Sequence, residues 1–368
     1  MPRLVVDSDP VFASGNTHAR RHAARRNGTP RPVASSSFSA KTLHSDIAPQ
    51  QQAASTSLSN VRLTLDEGQV VEAFGVVFGV SHEVRGDGFS ATLLLDQQNR
   101  RVRILAYTAA DYAALILKVR WIAEANGFDK IIATATVSDW QEFLRFGYVL
   151  EAVATGFHRG ADAFIVSKFR SQVRLASPSL MDEILLIERL MAEVAVGQPR
   201  PVPAGCRVRL AVPADIPQLV ALYQRVFATY PSPLLHVSYL EHIFADENLF
   251  AVCERDGQVI AAASAELHPG ALAAELTDCA TAPPERGKGL MSHLLLLLED
   301  ELRQRGYLCA YTLARAPSFG MNAVFRRLGY AFGGRLVNNC TICGTFEDMN
   351  CWTKRLEPVV AALAAGAP

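Results

Sequence analysis

A glycine-containing turn between a strand and an apolar helix is the feature that most limits how this chain can fold. The turn reads Arg-Gly-Lys-Gly at 286–289, after the Thr-containing strand expected at 275–281 and before the helix expected at 292–303. Two glycines let the backbone approach a ligand closely, and the first turn of a helix offers unpaired N–H groups at the positive end of its dipole. The segment therefore predicts a pyrophosphate cradle.

The residues after the second glycine distinguish this turn from two other phosphate-binding loops. A Walker loop would place Lys and then Ser or Thr there, and a dinucleotide fingerprint would add a third glycine. This chain has Leu-Met-Ser at 290–292 instead. We predict binding mainly through backbone N–H groups. The predicted cradle consists of Arg286, Gly287, Lys288, Gly289, Leu290 and Met291.

The charge balance and the short apolar runs exclude several classes of partner. The 368 residues include 36 Lys and Arg against 36 Asp and Glu, so the net charge is +0. A neutral chain offers no basic stripe, and we predict neither a nucleic-acid nor a membrane partner. The longest apolar runs, such as 294–298, are far shorter than the ~20 residues that cross a bilayer. A small-molecule substrate is expected.

The cysteines predict a reducing compartment and no metal site. Seven are scattered along a chain without a secretory signal pattern, which favours free thiols in a cytoplasm. Cys340 and Cys343 form a Cys-x-x-Cys pair with Cys351 nearby, but the sequence lacks a fourth ligand at a spacing that suits zinc. No Ser-His-Asp or Cys-His arrangement has supporting context, so a direct reaction is favoured over a covalent enzyme intermediate.

Changes in composition divide the chain into five parts. Residues 1–58 contain Arg pairs and runs of Ser and Gln with hardly any apolar clustering, which predicts a disordered tail. An ordered N-terminal domain is expected at 61–170, followed by a helix and a Pro-rich linker at 171–205. The second domain is expected at 206–357, with a short tail at 358–368.

The two predicted domains share one order of elements. Helix, strand, helix and a Gly-Tyr pair follow one another at 111–148, and the same order recurs at 292–330. The first copy has Tyr-Thr-Ala-Ala at 107–110 where the second has its glycine turn. Without glycines the backbone cannot close on a pyrophosphate, so we predict that the first domain is a structural or substrate-shaping copy without a phosphate site.

The glycine turn resembles the acetyl-CoA loop of the GNAT N-acetyltransferases, whose pattern is Arg/Gln-x-x-Gly-x-Gly/Ala. Arg286 and Gly289 match that pattern, and Met291 departs from it. The element order β-α-α-β-β-β-α-β-α-β expected at 206–357 also matches. The resemblance implies an α/β (α+β) fold, with a mixed twisted sheet covered by helices on both faces and preceded by a smaller GNAT-like domain without the CoA loop. It also implies acetyl-CoA as the co-substrate.

Further phrases resemble the β-lysine N6-acetyltransferase family within the GNAT superfamily. They lie at 226–231, 274–278 and 315–322, and at 147–151 in the first domain, within a resemblance that covers about 60–357. The resemblance implies transfer of an acetyl group to the ε-amine of β-lysine, which gives the compatible solute N6-acetyl-β-lysine used in osmoadaptation. A lysine 2,3-aminomutase, which would supply β-lysine, is then an expected functional partner.

Two other functions stay open from the sequence. A GNAT enzyme with the same loop could instead acetylate another small amine, such as a polyamine, lysine or an amino sugar. A regulatory module that binds CoA without turnover would also keep the loop. Turnover of acetyl-CoA with a panel of amines distinguishes these alternatives.

Glu275 and Asp278 are the predicted catalytic residues, because they are the acids nearest the glycine turn. One would deprotonate the acceptor amine, directly or through water, and the other would hold a second ammonium group. Strand alternation places Glu275 on the face of Thr277 and Asp278 on the opposite face, unless a bulge intervenes.

The resemblance assigns roles to residues further from the turn. Thr281 matches the strand position whose backbone follows the pantetheine arm, and Asn322 lies where a helix approaches CoA. An arginine after a cleft-facing strand offers a bidentate fork to a substrate carboxylate. The predicted substrate-binding residues are Tyr230, Arg315, Asn338 and Asn339.

The residue that would protonate the departing thiolate is also in question. Many GNAT enzymes carry a tyrosine at the position that is Phe325 here. We expect Tyr311 or Tyr330 to take its place, or the thiolate to leave unassisted. A thiol pKa of about 8.5 makes such a leaving group tolerable near neutral pH.

Overall fold

The computed structural model describes residues 3–6, 59–75, 77–245, 248–342 and 344–357. The strands are β1 (Arg3–Val6), β2 (Ser59–Asp66), β3 (Gln69–Gly75), β4 (Val77–Gly86), β5 (Phe89–Asp96), β6 (Arg101–Ala109), β7 (Lys130–Thr136), β8 (Val149–His158), β9 (Ala161–Phe169), β10 (Cys206–Leu210), β11 (Leu249–Arg255), β12 (Gln258–His268), β13 (Ala273–Thr281), β14 (Cys309–Arg315), β15 (Ala331–Ile342) and β16 (Thr345–Arg355). The α-helices are α1 (Tyr112–Ala125), α2 (Trp140–Arg145), α3 (Gln172–Leu175), α4 (Leu180–Glu193), α5 (Ile216–Val226), α6 (Val237–Ala245), α7 (Leu290–Gln304) and α8 (Phe319–Arg327). Short 3-10 helices at Pro213–Asp215 and Pro283–Glu285 precede α5 and α7.

Most of the predicted tail 1–58 lies outside the described residues, as does 358–368. Within that tail, β1 pairs antiparallel with β4, which differs from the disorder predicted for the whole segment. The reason is local. An Arg-Leu-Val-Val stretch is too short to form a core, but it can still hydrogen bond along a sheet edge that would otherwise be open.

Fourteen of the described strands form one mixed sheet in the order β1-β4-β5-β6-β7-β9-β8-β15-β16-β14-β13-β12-β11-β10. The N-terminal half (77–169) runs β4-β5-β6-β7-β9-β8, and the C-terminal half (206–355) repeats this order as β11-β12-β13-β14-β16-β15. Each half has a single parallel pair in its block, β6/β7 or β13/β14, connected through a helix. The mixed sheet predicted from the element order is therefore confirmed.

Helices cover both faces of the C-terminal half of the sheet. Helix α7 packs with Ala251 and Cys253 of β11, whereas α5 packs with Phe250 and Val252 of the same strand. Successive residues of a strand point to opposite faces, so the two helices lie on opposite sides. Alanines along β12 let the leucines of α7 approach the sheet closely.

The two halves meet where β8 and β15 run antiparallel, at the pair Gly334–Ala152. A Cβ atom on Gly333 would overlap the carbonyl oxygen of Val153, and one on Gly334 would overlap that of Glu151. Glycine is therefore required at both positions for the strands to approach this closely.

Buried cations of the N-terminal half hold β15 in place. Lys130 Nζ lies 2.8 Å from Glu151 Oε2 and 2.7 Å from the carbonyl oxygen of Val337. Arg101 Nη1 donates to the carbonyl oxygen of Asn339 at 3.0 Å. Charge-assisted bonds of this kind are strong when buried, so they fix the two halves against each other and set the width of the space between them.

Candidate active site

Strands β13 and β14 diverge at the centre of the C-terminal half. They pair in parallel over three positions only, the last being Glu275 with Tyr311. Beyond that point β13 remains paired with β12 as far as Thr281. Its other edge is no longer paired with β14 and borders the gap between the two strands. Glu275 and Tyr311 therefore lie at the apex of a wedge between the two strands.

A β-bulge brings both predicted acids to one cavity. The register between β12 and β13 shifts between Ala262 and Ser264, and Asp278 adopts a φ of 51°. A bulge inserts one extra residue and so changes the face on which the next side chain lies. Glu275 and Asp278 both line the same cavity as a result.

This cavity has a volume of about 970 Å³ and lies between the two halves. Strands β6, β7 and β8 of the N-terminal half form one wall. Strands β12, β13 and β14, with the segment after α5, form the other. The charged and titratable side chains that line it include Arg103, His158, Glu266, His268, Glu275, Asp278 and Arg315.

Glu275 is the acid best suited to accept a proton. Burial, and then the nearby charge of Glu266, raises the pKa of its carboxyl group to about 7. The Tyr311 hydroxyl donates to Glu275 Oε2 at 3.1 Å, and His268 Nε2 lies 3.0 Å from that hydroxyl. Burial lowers the pKa of His268, so its ring is neutral near pH 7. Glu275, Tyr311 and His268 thus form a hydrogen-bonded chain into the cavity.

Asp278 is held as an acceptor. Burial raises the pKa of its carboxyl group to about 6, although hydrogen bonds from Ser264 and Tyr230 lower it. Ser264 Oγ donates to Asp278 Oδ2 at 2.6 Å. Tyr230, predicted to contact the acceptor, also lines the cavity. At pH 7 Asp278 carries its charge more fully than Glu275, which suits it to hold an ammonium group.

The glycine turn opens at the start of α7, as predicted. Gly287 has a φ of 76° and Gly289, the N-cap of α7, has a φ of 80°. A Cβ on either glycine would meet no atom within 4 Å, so this face of the turn is open to a ligand. Leu290 and Met291 bury their side chains in the core and present only their backbone.

The cations of the turn are partly engaged within the protein. Lys288 Nζ lies 3.0 Å from Glu285 Oε2. Arg286 Nε donates to the carbonyl oxygen of Thr281 at 3.3 Å, which ties the end of β13 to the turn. Backbone N–H groups and the helix dipole therefore remain the main attraction for a phosphate.

Two asparagines that the sequence predicts to bind ligands make hydrogen bonds within the protein. Asn322 is buried and donates to the carbonyl oxygens of Arg315 and Ser318, while its Oδ1 accepts from Asn350 and Trp352. Those four bonds use all the capacity of its side chain. The side chain of Asn322 therefore holds β14, α8 and β16 together, and it has no hydrogen-bonding capacity left for the predicted contact with CoA.

Asn338 is also structural. Its Nδ2 donates to the carbonyl oxygens of Val173, Arg174 and Ala176 at 3.1 to 3.2 Å, which fixes β15 to the end of α3. Asn339 differs, because it lines the cavity and its buried Oδ1 has no hydrogen-bond partner among the described residues. Asn339 therefore offers an acceptor for the predicted substrate contact, whereas the Nδ2 of Asn338 is engaged by the backbone.

Arg315 lines the cavity, but its fork is already occupied. Its Nε and Nη2 each lie 2.6 Å from an oxygen of Glu347. A bidentate pair of this geometry satisfies the face of the guanidinium that would bind a substrate carboxylate. Glu347 is therefore the partner of Arg315 here, and the predicted contact with a substrate carboxylate would have to displace it.

Of the two tyrosines considered as proton donors, the structure places one in the cavity. Tyr330 is buried and donates to Glu299 Oε1 at 3.0 Å, behind the ring of Phe325. Tyr311 lines the cavity and bonds Glu275. Tyr311 is thus the hydroxyl that the geometry favours.

Sequence reasoning missed Arg103, Glu266 and His268. All three line the cavity, and Arg103 comes from the N-terminal half. Strand alternation assigns each of them to a face, but it carries no information about which distant strand lies opposite.

Among the described residues no group of three or more His, Cys, Asp or Glu is arranged to hold a metal ion, and no helix there is long and apolar enough to cross a membrane.

One CoA site per chain is expected, because the start of α1 differs from that of α7. The Asp111 side chain accepts from the backbone N–H of Ala114 at 3.0 Å and so caps the helix with a carboxylate. That negative charge would repel a pyrophosphate at the same place. Isothermal titration of the full chain with CoA should give a stoichiometry of about one. Two sites of similar affinity would contradict the assignment of α7 alone.

A wedge between two parallel strands, a glycine turn at a helix start and a carboxylate at the apex define an acyl-CoA-dependent N-acyltransferase. A sequence model of the Acetyltransferase (GNAT) family matches residues 216–330. The N-acetyltransferase YodP of Bacillus subtilis is 34% identical over 273 residues, which are 74% of this chain and 98% of that protein. The chain therefore belongs to the GNAT family, and it is an acetyl-CoA-dependent N-acetyltransferase.

Relatives named for one substrate are also similar to this chain, as the motifs predicted. The β-lysine N6-acetyltransferase of Methanosarcina mazei is 47% identical over 154 residues, 42% of this chain and 57% of that protein. The enzyme of the same name from Methanococcus maripaludis is 30% identical over 259 residues, 70% of this chain and 94% of that protein. Among solved structures, the ribosomal-protein-alanine N-acetyltransferase of Brucella melitensis matches 41% of this chain and 99% of its own, with 26% identity and a TM-score of 0.37.

Proposed function

We propose that this protein transfers the acetyl group of acetyl-CoA to the ε-amine of β-lysine and so forms N6-acetyl-β-lysine. The observation that carries the proposal is the composition of the cavity, whose lining includes Glu266, Glu275 and Asp278 together with Arg103. A diamine that also bears a carboxylate complements three acids and a cation. The relatives named β-lysine N6-acetyltransferase support the same acceptor.

The first task of the site is to remove a proton from the amine. A lysine-type ammonium has a pKa of about 10.4, so its neutral form at pH 7 costs about 4.6 kcal/mol. Glu275, with a carboxyl pKa raised to about 7, is matched to accept that proton near neutral pH, directly or through one water. Asp278 and Glu266 would hold the second ammonium of the substrate.

Transfer then proceeds by direct attack. The neutral nitrogen forms a bond to the thioester carbonyl carbon, and the carbon–sulfur bond breaks as the CoA thiolate leaves. The ammonium nitrogen loses two protons in all: the first passes from Glu275 to solvent before the attack, and the second returns to Glu275 as the amide forms. Tyr311, which donates to Glu275, would pass its proton to the sulfur and regain the second amine proton from Glu275, so both side chains return to their starting state without an acyl-enzyme.

Two further parts of the proposal concern the setting of the reaction. N6-acetyl-β-lysine would serve as a compatible solute in the cytoplasm during osmoadaptation. A lysine 2,3-aminomutase would supply β-lysine, which gives a functional link between the two enzymes rather than a physical complex. The acetyl-CoA pyrophosphate would lie over the cradle 286–291, with the pantetheine arm along β13 toward Glu275.

Comparison of two diamines tests the proposed substrate. Initial rates of CoA thiol release should show a kcat/KM for β-lysine at least 30-fold above that for cadaverine, since a site built around a carboxylate leaves charges unpaired with an acceptor that lacks one. Equal values for the two would indicate a general polyamine acetyltransferase. No thiol release with any amine in a wider panel would indicate a CoA-binding module instead.

A further inference from the structure

Arg103 occupies a distinctive place in the cavity wall. It lies on β6 of the N-terminal half, paired with Leu94 of β5 and Ile132 of β7, and its side chain lines the cavity. Within the part of the chain that the structure describes, its guanidinium has neither a hydrogen bond nor a salt bridge. Such an arginine presents a complete planar fork to whatever occupies the cavity.

The other arginines that line the cavity are satisfied by the protein. Arg101 Nε lies 2.8 Å from Asp96 Oδ2 in a buried pair. Arg315 is bound on two atoms by Glu347. Arg103 differs from both because its guanidinium makes no hydrogen bond to another described residue. This is unusual for a guanidinium that is largely enclosed.

The charges around Arg103 keep it protonated. Burial alone would lower the pKa of its guanidinium, but Glu266, followed by Tyr311 and Glu275, raises it above its ordinary value. None of these groups makes direct contact with Arg103, so the cation is stabilised at a distance. A ligand anion in the cavity would supply the contact that the protein does not.

We propose that Arg103 binds the carboxylate of the acceptor, so that the N-terminal half supplies substrate recognition while the C-terminal half supplies the CoA cradle and the base. This assignment rests on the proposed function, in which the acceptor is an amino acid with a second amine. It places the carboxylate against β6 and the reacting amine at Glu275 on the opposite wall. Glu266 and Asp278 bind the remaining ammonium between them.

The arrangement gives the N-terminal half a role that its lost phosphate site does not explain. A single GNAT domain would leave the acceptor face of β12 and β13 open to solvent. Here β6, β7 and β8 cover that face and bring the guanidinium of Arg103 into the pocket that holds Glu266, Glu275 and Asp278. An acceptor without a carboxylate would leave this enclosed cation unpaired, so the second half discriminates against simple diamines.

The test is a comparison of three variants on two acceptors of the same shape. The acceptors are β-lysine and its primary amide, 3,6-diaminohexanamide, which keeps both amines and replaces only the carboxylate. The variants are Arg103→Gln, Arg103→Lys and the surface control Arg85→Gln, whose side chain is 80% exposed. Rates are measured by CoA thiol release, and melting temperatures confirm folding.

Arg103→Gln should lower kcat/KM for β-lysine by roughly 30-fold or more, because the carboxylate loses a charge-assisted bidentate partner. The value for the amide should change less than about threefold, and the selectivity of the wild-type enzyme should disappear. Arg103→Lys should recover part of the loss, since it keeps the charge without the fork. The decisive quantity is the ratio of kcat/KM for β-lysine to kcat/KM for the amide. Loss of Arg103 also alters the electrostatic field on Glu275, and that effect is common to both acceptors and cancels in the ratio.

The outcomes separate this inference from the proposed function. If the wild-type enzyme uses acid and amide equally well, the acceptor needs no carboxylate and the proposed function itself is wrong. If the wild-type enzyme prefers the acid and Arg103→Gln keeps that preference, the function stands and Arg103 is not its recognition residue. Equal losses on both acceptors in a folded variant would also overturn the assignment.

Discussion

Glu275→Gln is expected to lower kcat at pH 7 by about 100-fold, the usual size of a general-base contribution. The amide of Gln can still accept the Tyr311 hydrogen bond, so the wedge between β13 and β14 should keep its shape. It cannot take a proton from the acceptor ammonium. The expected loss is therefore in kcat, with the KM values for acetyl-CoA and the acceptor changed little.

The pH dependence gives this prediction a second readout. The wild-type rate should rise as the pH increases through about 7, because Glu275 must lose its proton to act as a base and its pKa is raised to about 7. In Glu275→Gln that limb should vanish, and activity should return only as the pH approaches the amine pKa of about 10.4. Glu83→Gln, an exposed carboxylate on β4, serves as a control. Full activity of Glu275→Gln at pH 7 would place the base elsewhere.

Gly289→Glu is expected to raise the KM for acetyl-CoA by roughly 30-fold or more, because it adds a negative charge where a pyrophosphate should lie. The φ of 80° at this N-cap also strains any residue with a Cβ. Nothing in the protein blocks the new side chain, since no atom lies within 4 Å of its Cβ position. The effect should therefore fall on the cofactor rather than on packing.

A matched glycine separates charge at the cradle from backbone strain. Gly68, in the turn between β2 and β3, has a φ of 72° and an equally open Cβ position. Gly68→Glu carries a comparable strain and the same charge in a separate two-stranded sheet, and it should leave saturation by acetyl-CoA unchanged. If the two variants behave alike, or if Gly289→Glu saturates normally, the cradle does not lie at 286–291.

The glycine turn at the start of α7 and the order of elements could be predicted because both are local in sequence. A strand, two glycines and an apolar helix follow one another directly, and each imposes its geometry on its neighbours. The sequence alone allowed a bulge near Asp278 but did not predict one. The φ of 51° at Asp278 arises from the pairing of β12 with β13, and residue type alone does not fix that register.

The hydrogen-bond partners that the sequence could not predict are distant along the chain. Asn322 bonds Trp352, 30 residues away, and Asn338 bonds Val173, 165 residues away. A polar side chain near a site looks the same in sequence whether it binds a substrate or closes a buried network. Arg103 was missed for the converse reason, since only the pairing of two halves brings it opposite Glu275.

Regiochemistry of the product shows which amine of β-lysine accepts the acetyl group. Acetyl-CoA labelled with ¹³C at the acetyl carbonyl is incubated with the enzyme and β-lysine, and the product is examined by two-dimensional ¹H–¹³C NMR. Transfer to the ε-amine predicts a correlation from the labelled carbonyl to the methylene protons beside N6, with one acetyl group added per thiol released. A correlation to the proton on the carbon that bears the 3-amine, or thiol release without acetylated β-lysine, would contradict it.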